Sequence, residues 1–129
     1  MKKFFLLPIL ILAFACNSSS DSSKKATDTA TTAKTNDLSN NPDYQKGLEL
    51  VSKNDCFTCH QIDDKLNGPP YRQVANKYAS YPDTIVTHLA KKVISGGNGV
   101  WGEVMMTPHP SLSQADAEAI VKYILLLKK

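Results

Sequence analysis

Residues 41–129 are predicted to form an all-α domain of about four helices. Apolar residues recur at helical spacing in separate stretches of this region, and no stretch alternates between apolar and polar residues as a half-buried strand does. Gly and Pro residues punctuate the stretches, which is typical of helices joined by loops. A chain of 129 residues is long enough for one small domain with extensions.

The first fifteen residues are predicted to be a signal peptide. Lys2 and Lys3 precede an apolar run from Phe4 to Ala15, which only Pro8 interrupts. As a helix this run would span about 18 Å, against about 30 Å for the hydrocarbon core of a bilayer. We therefore interpret it as an export leader and not as a membrane span.

Cys16 stands where the leader ends, and it is predicted to carry lipid. It follows Leu12-Ala13-Phe14-Ala15, which resembles a bacterial lipobox with Ala in place of the usual Leu three positions before the cysteine. The resemblance implies cleavage before Cys16, and two or three acyl chains would anchor the protein stably. Ordinary secretion with cleavage near Ala15 is the alternative. We expect an exported lipoprotein of the cell envelope, at the periplasmic face of a membrane.

Residues 16–40 are predicted to be the lipid-anchored cysteine and a disordered linker. Ser, Thr, Ala, Lys and Asp dominate this tract, so it cannot bury enough apolar surface to order itself. The net charge of +3 arises in the leader and linker, because residues 37–129 carry ten basic and ten acidic side chains. The domain therefore has no basic footprint for nucleic acid.

The first helix is predicted to start at Asn41 and Pro42, which suit the cap and the first helical position, and to end before Cys56. A second is predicted over residues 71–79. A third begins near Pro82 and stops at Gly96, and a fourth opens with a capping pattern at Ser113. Their apolar faces are Tyr44, Leu48 and Val51; Val74, Ala75 and Tyr78; Ile85, Leu89 and Val93; and Ala117, Ile120, Tyr123, Ile124 and Leu127.

The motif Cys56-Phe57-Thr58-Cys59-His60 has the pattern C-x-x-C-H, which is typical of covalent attachment of a c-type haem. Two thiols three positions apart can each add to a vinyl group of one porphyrin, and the adjacent imidazole then lies beneath the iron. Half of a zinc site and a dithiol redox pair are the alternatives for a C-x-x-C pattern. With Cys16 lipidated and two cysteines bound to haem, no disulfide is expected from the three cysteines.

The segment from Ser95 to Pro110 is rich in Gly, Pro and Met, and it is predicted to be a long functional loop. A haem iron bound by one histidine has either an open sixth position for ligand chemistry or a second ligand that favours electron transfer. Met105, Met106 and His109 are the candidates for that ligand. No helical stripe in this loop needs a methionine as filler, which favours the ligand interpretation over core packing.

From Tyr44 to Lys128 the chain resembles a class I cytochrome c of the small bacterial monohaem kind. The shared features are CFTCH, GPPYRQVANKY, GVWGEVMMTP and a terminal helix. The resemblance implies a cytochrome c fold of about four helices wrapped around one covalent haem. It also implies that His60 is the proximal ligand, and that the carbonyl of Pro69 accepts a hydrogen bond from its other ring nitrogen.

The same resemblance implies Met106 as the distal ligand, because the family places its axial methionine five residues after the Trp that corresponds to Trp101. The usual Met-Pro is replaced by Met106-Thr107-Pro108, and Met105 is the next candidate. Trp101 is expected to contact a haem propionate. Gly47 and Tyr123 match the family's crossing of the first and last helices.

These features imply one covalently attached haem c per chain in an electron-transfer protein that is not an enzyme. It is expected to act as a monomer that passes single electrons between partners such as a quinol-oxidising complex and a terminal oxidase or reductase. No small-molecule substrate is expected. If Met106 were displaceable, the haem could instead act on peroxide or sense a small ligand. A dithiol oxidoreductase or metal carrier without haem is the remaining alternative.

Overall fold

The computed structural model describes residues 38–129. The predicted signal peptide, the predicted lipid site Cys16 and most of the predicted linker lie outside the described residues. Within them the helices are α1 (Pro42–Lys53), α2 (Tyr71–Tyr78), α3 (Thr84–Ser95) and α4 (Gln114–Leu126), with strands β1 (Gly97–Gly99) and β2 (Gly102–Met106) and two short 3-10 turns. The predicted class of four helices is confirmed.

Helices α1 and α4 begin where the capping residues indicate. The Asn41 side chain accepts a hydrogen bond of 3.1 Å from the amide of Tyr44 at the start of α1. At the start of α4 the Ser113 hydroxyl accepts one of 3.1 Å from the amide of Asp116. Each bond satisfies an amide that has no partner within its helix.

The described residues include three that precede the predicted boundary at Asn41. Leu38–Asn40 form a 3-10 turn, and Leu38 packs against the core beside α1. The Asn41 amide donates to the Leu38 carbonyl at 3.0 Å. Leu38 is a large apolar residue in a polar tract, and its contact with the core joins this turn to the helical domain.

Helix α4 is the central element of the domain, because it packs against each of the other three helices. One core cluster joins it to α1 and α2 around Val51, Tyr71 and Tyr123. A second cluster joins it to α3 around Ala90 and Val121. Six residues of α4 are buried: Ala117, Ala119, Ile120, Val121, Tyr123 and Ile124.

Helices α1 and α4 approach each other most closely at Gly47. A Cβ atom on Gly47 would lie 2.2 Å from the Cβ of Tyr123 and 2.5 Å from the carbonyl oxygen of Ala119. Real side chains do not approach so closely, so only glycine fits this position. The predicted crossing of the first and last helices at Gly47 and Tyr123 is confirmed.

The sequence-based prediction that the domain contains no strand was wrong, because β1 and β2 form an antiparallel hairpin. Gly97 lies opposite Met106, and Gly99 lies opposite Gly102. The sequence of β1 is Gly-Asn-Gly, so it shows no alternation of apolar and polar residues. The φ angles of 100° at Gly97 and 110° at Gly102 favour glycine, which explains why the hairpin resembles a loop in sequence.

No helix within residues 38–129 combines the length and the apolar character needed to span a bilayer.

Replacing Gly47 with alanine is expected to lower the free energy of unfolding by ~2 kcal/mol or more, since forced repacking outweighs the ~1 kcal/mol that alanine gains in helix propensity. Lys46→Ala is the matched control, because Lys46 is an exposed neighbour in α1. Denaturant unfolding followed by circular dichroism measures both variants. A Gly47→Ala variant as stable as the parent would contradict the close approach of the two helices.

Candidate haem site

The Cys56–Thr58 turn follows directly from the end of α1. After Lys53 the chain passes through Asp55, whose φ of 55° lies in the left-handed region. This residue redirects the backbone into the 3-10 turn, and the amide of His60 then donates to the Cys56 carbonyl at 3.0 Å. The turn therefore places both cysteines and His60 within a single hydrogen-bonded loop.

Cys56 and Cys59 form no disulfide bond, and both are partly buried. Burial raises the pKa of the Cys56 thiol, and a hydrogen bond with Tyr71 only partly opposes this effect. A reactive redox cysteine has a lowered pKa, because the thiolate is the nucleophile. Cys56 does not show the lowered pKa that marks a reactive redox cysteine.

The ring of His60 is oriented by the backbone of Pro69. Its Nδ1 atom lies 2.8 Å from the Pro69 carbonyl oxygen, as the sequence analysis expected. A carbonyl oxygen only accepts, so Nδ1 carries the proton and donates it. The second nitrogen, Nε2, therefore keeps its lone pair for a metal.

Two neighbours fix the plane of the His60 ring. The ring stacks on Tyr71 with a centroid distance of 5.2 Å and an interplanar angle of 15°. A Cβ atom on Gly68 would lie 2.2 Å from Cε1 of His60, so the ring also packs directly against the Gly68 backbone. Sequence reasoning predicted that the turn at Gly68 and Pro69 orients His60, but it assigned no role to Tyr71.

The loop that contains Gly68 and Pro69 is closed by backbone hydrogen bonds. The amide of Gly68 donates to the Cys59 carbonyl at 2.9 Å, and the amide of Tyr71 donates to the Gln61 carbonyl at 2.8 Å. The Arg72 guanidinium adds an ion pair with Asp63 and a hydrogen bond to the Leu127 carbonyl at the end of α4. These bonds tie the motif and the loop to the last helix.

Tyr71 connects the motif to the core. Its ring contacts Phe57 at a centroid distance of 6.0 Å and Tyr123 at 6.3 Å. Burial is the largest of the effects that raise the pKa of the Tyr71 phenol far above its ordinary value. The phenol is therefore neutral at physiological pH. A neutral phenol can donate a hydrogen bond without adding charge beside the thiols.

The two adjacent methionines differ sharply in exposure. Successive side chains of a strand point to opposite faces, so Met105 and Met106 in β2 cannot both face the same site. Met105 is 67% exposed, whereas Met106 is partly buried. The Met106 carbonyl also packs closely on Gly96, where a Cβ atom would lie only 2.5 Å from its oxygen.

Trp101 directly precedes β2 in the sequence, and His109 follows it. Trp101 is 36% exposed, and the ammonium of Lys77 lies 5.6 Å from its ring centroid. His109 is partly buried, and its backbone amide donates to the Ile94 carbonyl at 3.1 Å. Cys56, Cys59, His60 and Pro69 thus form one unit, while Met106 and Trp101 belong to the hairpin.

These residues fit a covalent haem. They supply two thiols, an imidazole with Nε2 available and a partly buried thioether. Nitrogen and sulfur are the axial donors of a His/Met haem iron. Apolar side chains also remain exposed on the loop and the hairpin, with Leu66 at 43%, Val104 at 64% and Val100 at 68%, which is typical of a surface that binds a ligand or partner. Across residues 38–129 no three His, Cys, Asp or Glu side chains converge, so the zinc alternative lacks a ligand set there.

The comparisons with known proteins agree with this geometry. The family model described as "Cytochrome c" matches residues 44–128. This chain belongs to the cytochrome c family. Cytochrome c-552 of Nitrosomonas europaea is 43% identical over 84 residues, which cover 65% of this chain and 81% of the relative. Cytochrome c-551 of Azotobacter vinelandii is 39% identical over 84 residues, which cover 65% of this chain and the whole relative.

Solved structures show the same relationship. The crystal structure of wild-type Nitrosomonas europaea cytochrome c552 is similar with a TM-score of 0.59 and 43% identity, over 63% of this chain and 99% of that one. The chain is thus a small monohaem cytochrome c of class I, an electron-transfer protein and not an enzyme, with a covalently attached haem c. The peroxide and ligand-sensing alternative is not favoured.

Replacing Gly68 with alanine is expected to displace the His60 ring and to lower the free energy of unfolding of the haem protein by about 1–3 kcal/mol, the usual cost of overpacking. Lys65→Ala, an exposed change in the same loop, is the control. Denaturant unfolding followed at the haem absorbance measures both. Equal stability of the two variants would show that His60 can move without cost.

Proposed function

We propose that this protein is a single-electron shuttle whose haem c is joined to Cys56 and Cys59 through thioether bonds and held axially by His60 and Met106. The observation that carries the proposal is the hydrogen bond of 2.8 Å between His60 Nδ1 and the Pro69 carbonyl, which leaves Nε2 available to the iron. When bound, the haem supplies a one-electron Fe(III)/Fe(II) couple, and His/Met ligation raises its potential.

Around His60, the role of the protein is to restrict movement of the imidazole ring. Stacking on Tyr71 and packing on Gly68 restrict its rotation. The bond to Pro69 fixes the tautomer and makes the imidazole a stronger donor to the iron. A ring that is already oriented needs little reorganisation when the charge on the iron changes.

Met106 is favoured over Met105 as the second ligand by exposure and by strand alternation. Met105 is 67% exposed, so its thioether lies in solvent, while Met106 points to the other face of β2 and is partly buried. If His60 and Met106 both held the iron, they would leave no ligand position for a substrate.

Trp101 is proposed to contact a haem propionate, because its indole N–H is a donor and its ring is only partly covered. The Lys77 ammonium near this ring adds positive charge in the same region. Together they favour an anionic group beside the hairpin.

Redox partners are proposed to dock briefly at the exposed haem edge. Val100 and Val104 of the hairpin region are among the most exposed apolar residues of the described chain. A small interface of this kind suits transient electron-transfer complexes. A quinol-oxidising complex and a terminal oxidase or reductase are the partners we propose for the monomer.

Export and lipidation of Cys16 are proposed to hold the shuttle at the periplasmic face of a membrane. The support is the leader from Met1 to Ala15, followed by a cysteine at a lipobox-like site. The residues from 17 to about 40 then act as a tether that separates the acyl chains from the domain at residues 41–129.

Met106→Ala is expected to abolish the thioether-to-iron charge-transfer band of the oxidised protein, because it removes the proposed sulfur ligand. Met105→Ala is the matched control and should keep the band. Visible spectra of the two purified variants decide between them, and loss of the band only in Met105→Ala would assign the ligand to Met105.

Cys16→Ser is expected to release the mature protein from membranes, since it removes the thiol that would carry lipid. Fractionation and detergent phase partitioning of cells that express the parent and the variant measure the change. Equal membrane association of both, or release of both, would contradict the proposed anchor without affecting the haem assignment.

A further inference from the structure

The side chain of Lys92 spans the junction between α3 and the β1–β2 hairpin. Lys92 lies in the last turn of α3, and its ammonium donates a hydrogen bond of 2.8 Å to the carbonyl of Asn98 in β1. Across residues 38–129, this is the only side chain that donates a hydrogen bond to either strand.

The ammonium of Lys92 also lies against the strand residue that pairs with Met106. A Cβ atom on Gly97 would be 3.0 Å from Lys92 Nζ, and Gly97 is the register partner of Met106. The adjacent Gly96 packs on the Met106 carbonyl itself. A continuous set of contacts therefore leads from Lys92 through β1 to the backbone of Met106.

The end of α3 holds the far side of the hairpin as well. Beyond β2, the amide of His109 donates to the carbonyls of Val93 and Ile94 at 3.3 and 3.1 Å. Between these two attachments the hairpin has little packing, because Val104 and Met105 are 64% and 67% exposed. An exposed hairpin with few apolar contacts opens readily, so each attachment matters.

We propose that Lys92 is a positioning residue that fixes the hairpin in register and thereby holds Met106 where it binds the iron. The inference rests on the proposed function, in which Met106 is the second ligand. Lys92 acts through the backbone of Asn98 and Gly97, so it does not touch the sulfur. Because Lys92 restricts the hairpin before the sulfur binds, Met106 loses less conformational entropy on binding. The weak thioether ligand is therefore bound more strongly.

The test uses imidazole as a competing ligand for the iron of the purified haem protein. Lys92→Leu keeps the apolar stem and removes the donor. Imidazole titration, followed by loss of the thioether-to-iron band, is expected to show about fivefold tighter binding to this variant, the effect of one net hydrogen bond. Lys92→Arg keeps a donor and should restore the parent's affinity to within about twofold.

Lys91→Leu is the matched control. Lys91 is the exposed neighbour on α3 and donates no hydrogen bond among the described residues, so its loss changes the net charge equally without releasing the hairpin. Equal tightening in Lys91→Leu and Lys92→Leu would show a general charge effect and overturn the proposal. Unchanged imidazole affinity in Lys92→Leu would also overturn it.

Hydrogen exchange measured by mass spectrometry gives a second readout. Lys92→Leu should speed exchange in residues 96–107 alone, whereas faster exchange throughout the domain would indicate general destabilisation and contradict a positioning role. Met106→Ala distinguishes a wrong ligand assignment from a wrong role for Lys92. If its charge-transfer band persists, the assigned ligand is wrong; if the band is lost while Lys92→Leu behaves as the parent, only the role of Lys92 fails.

Discussion

The close backbone contact between α1 and α4 is the constraint on which the site depends. Gly47 lets α4 approach until Tyr123 packs on α1. Tyr123 then contacts Tyr71, and Tyr71 stacks on His60. The position of the metal-binding ring is therefore set by a helix crossing that is remote from it in sequence. Any side chain at residue 47 would shift this whole series of aromatic contacts.

The two proposed axial ligands are held in different ways. His60 sits in a loop closed by backbone hydrogen bonds and packed on aromatic residues of the core. Met106 lies on a short hairpin whose side chains are largely exposed, and the end of α3 attaches it at Lys92 and at His109. Retention of the proposed sulfur ligand therefore depends more on these two attachments than retention of the nitrogen ligand does.

Much of the site could be predicted because its functional residues occur in short local sequence patterns. Cys56, Cys59 and His60 are adjacent, and the capping residues Asn41 and Ser113 bond to amides three positions away. The hairpin could not be predicted, because its first strand is Gly-Asn-Gly, which shows neither β propensity nor alternation. The role of Tyr71 also escaped prediction, since it arises from packing on the ring of His60, which is not a neighbour in sequence.

The sequence by itself determined the helical class, the helix boundaries and the family's motif, since these depend on spacing and on side chains near in the chain. Only the tertiary structure decided that Met105 and Met106 point to different faces of a strand, with 67% exposure for Met105 and partial burial for Met106. It also decided which lysine reaches the hairpin, because Lys91 and Lys92 are alike in sequence. The direction of each side chain is set by pairing and helix phase, which depend on contacts between distant segments.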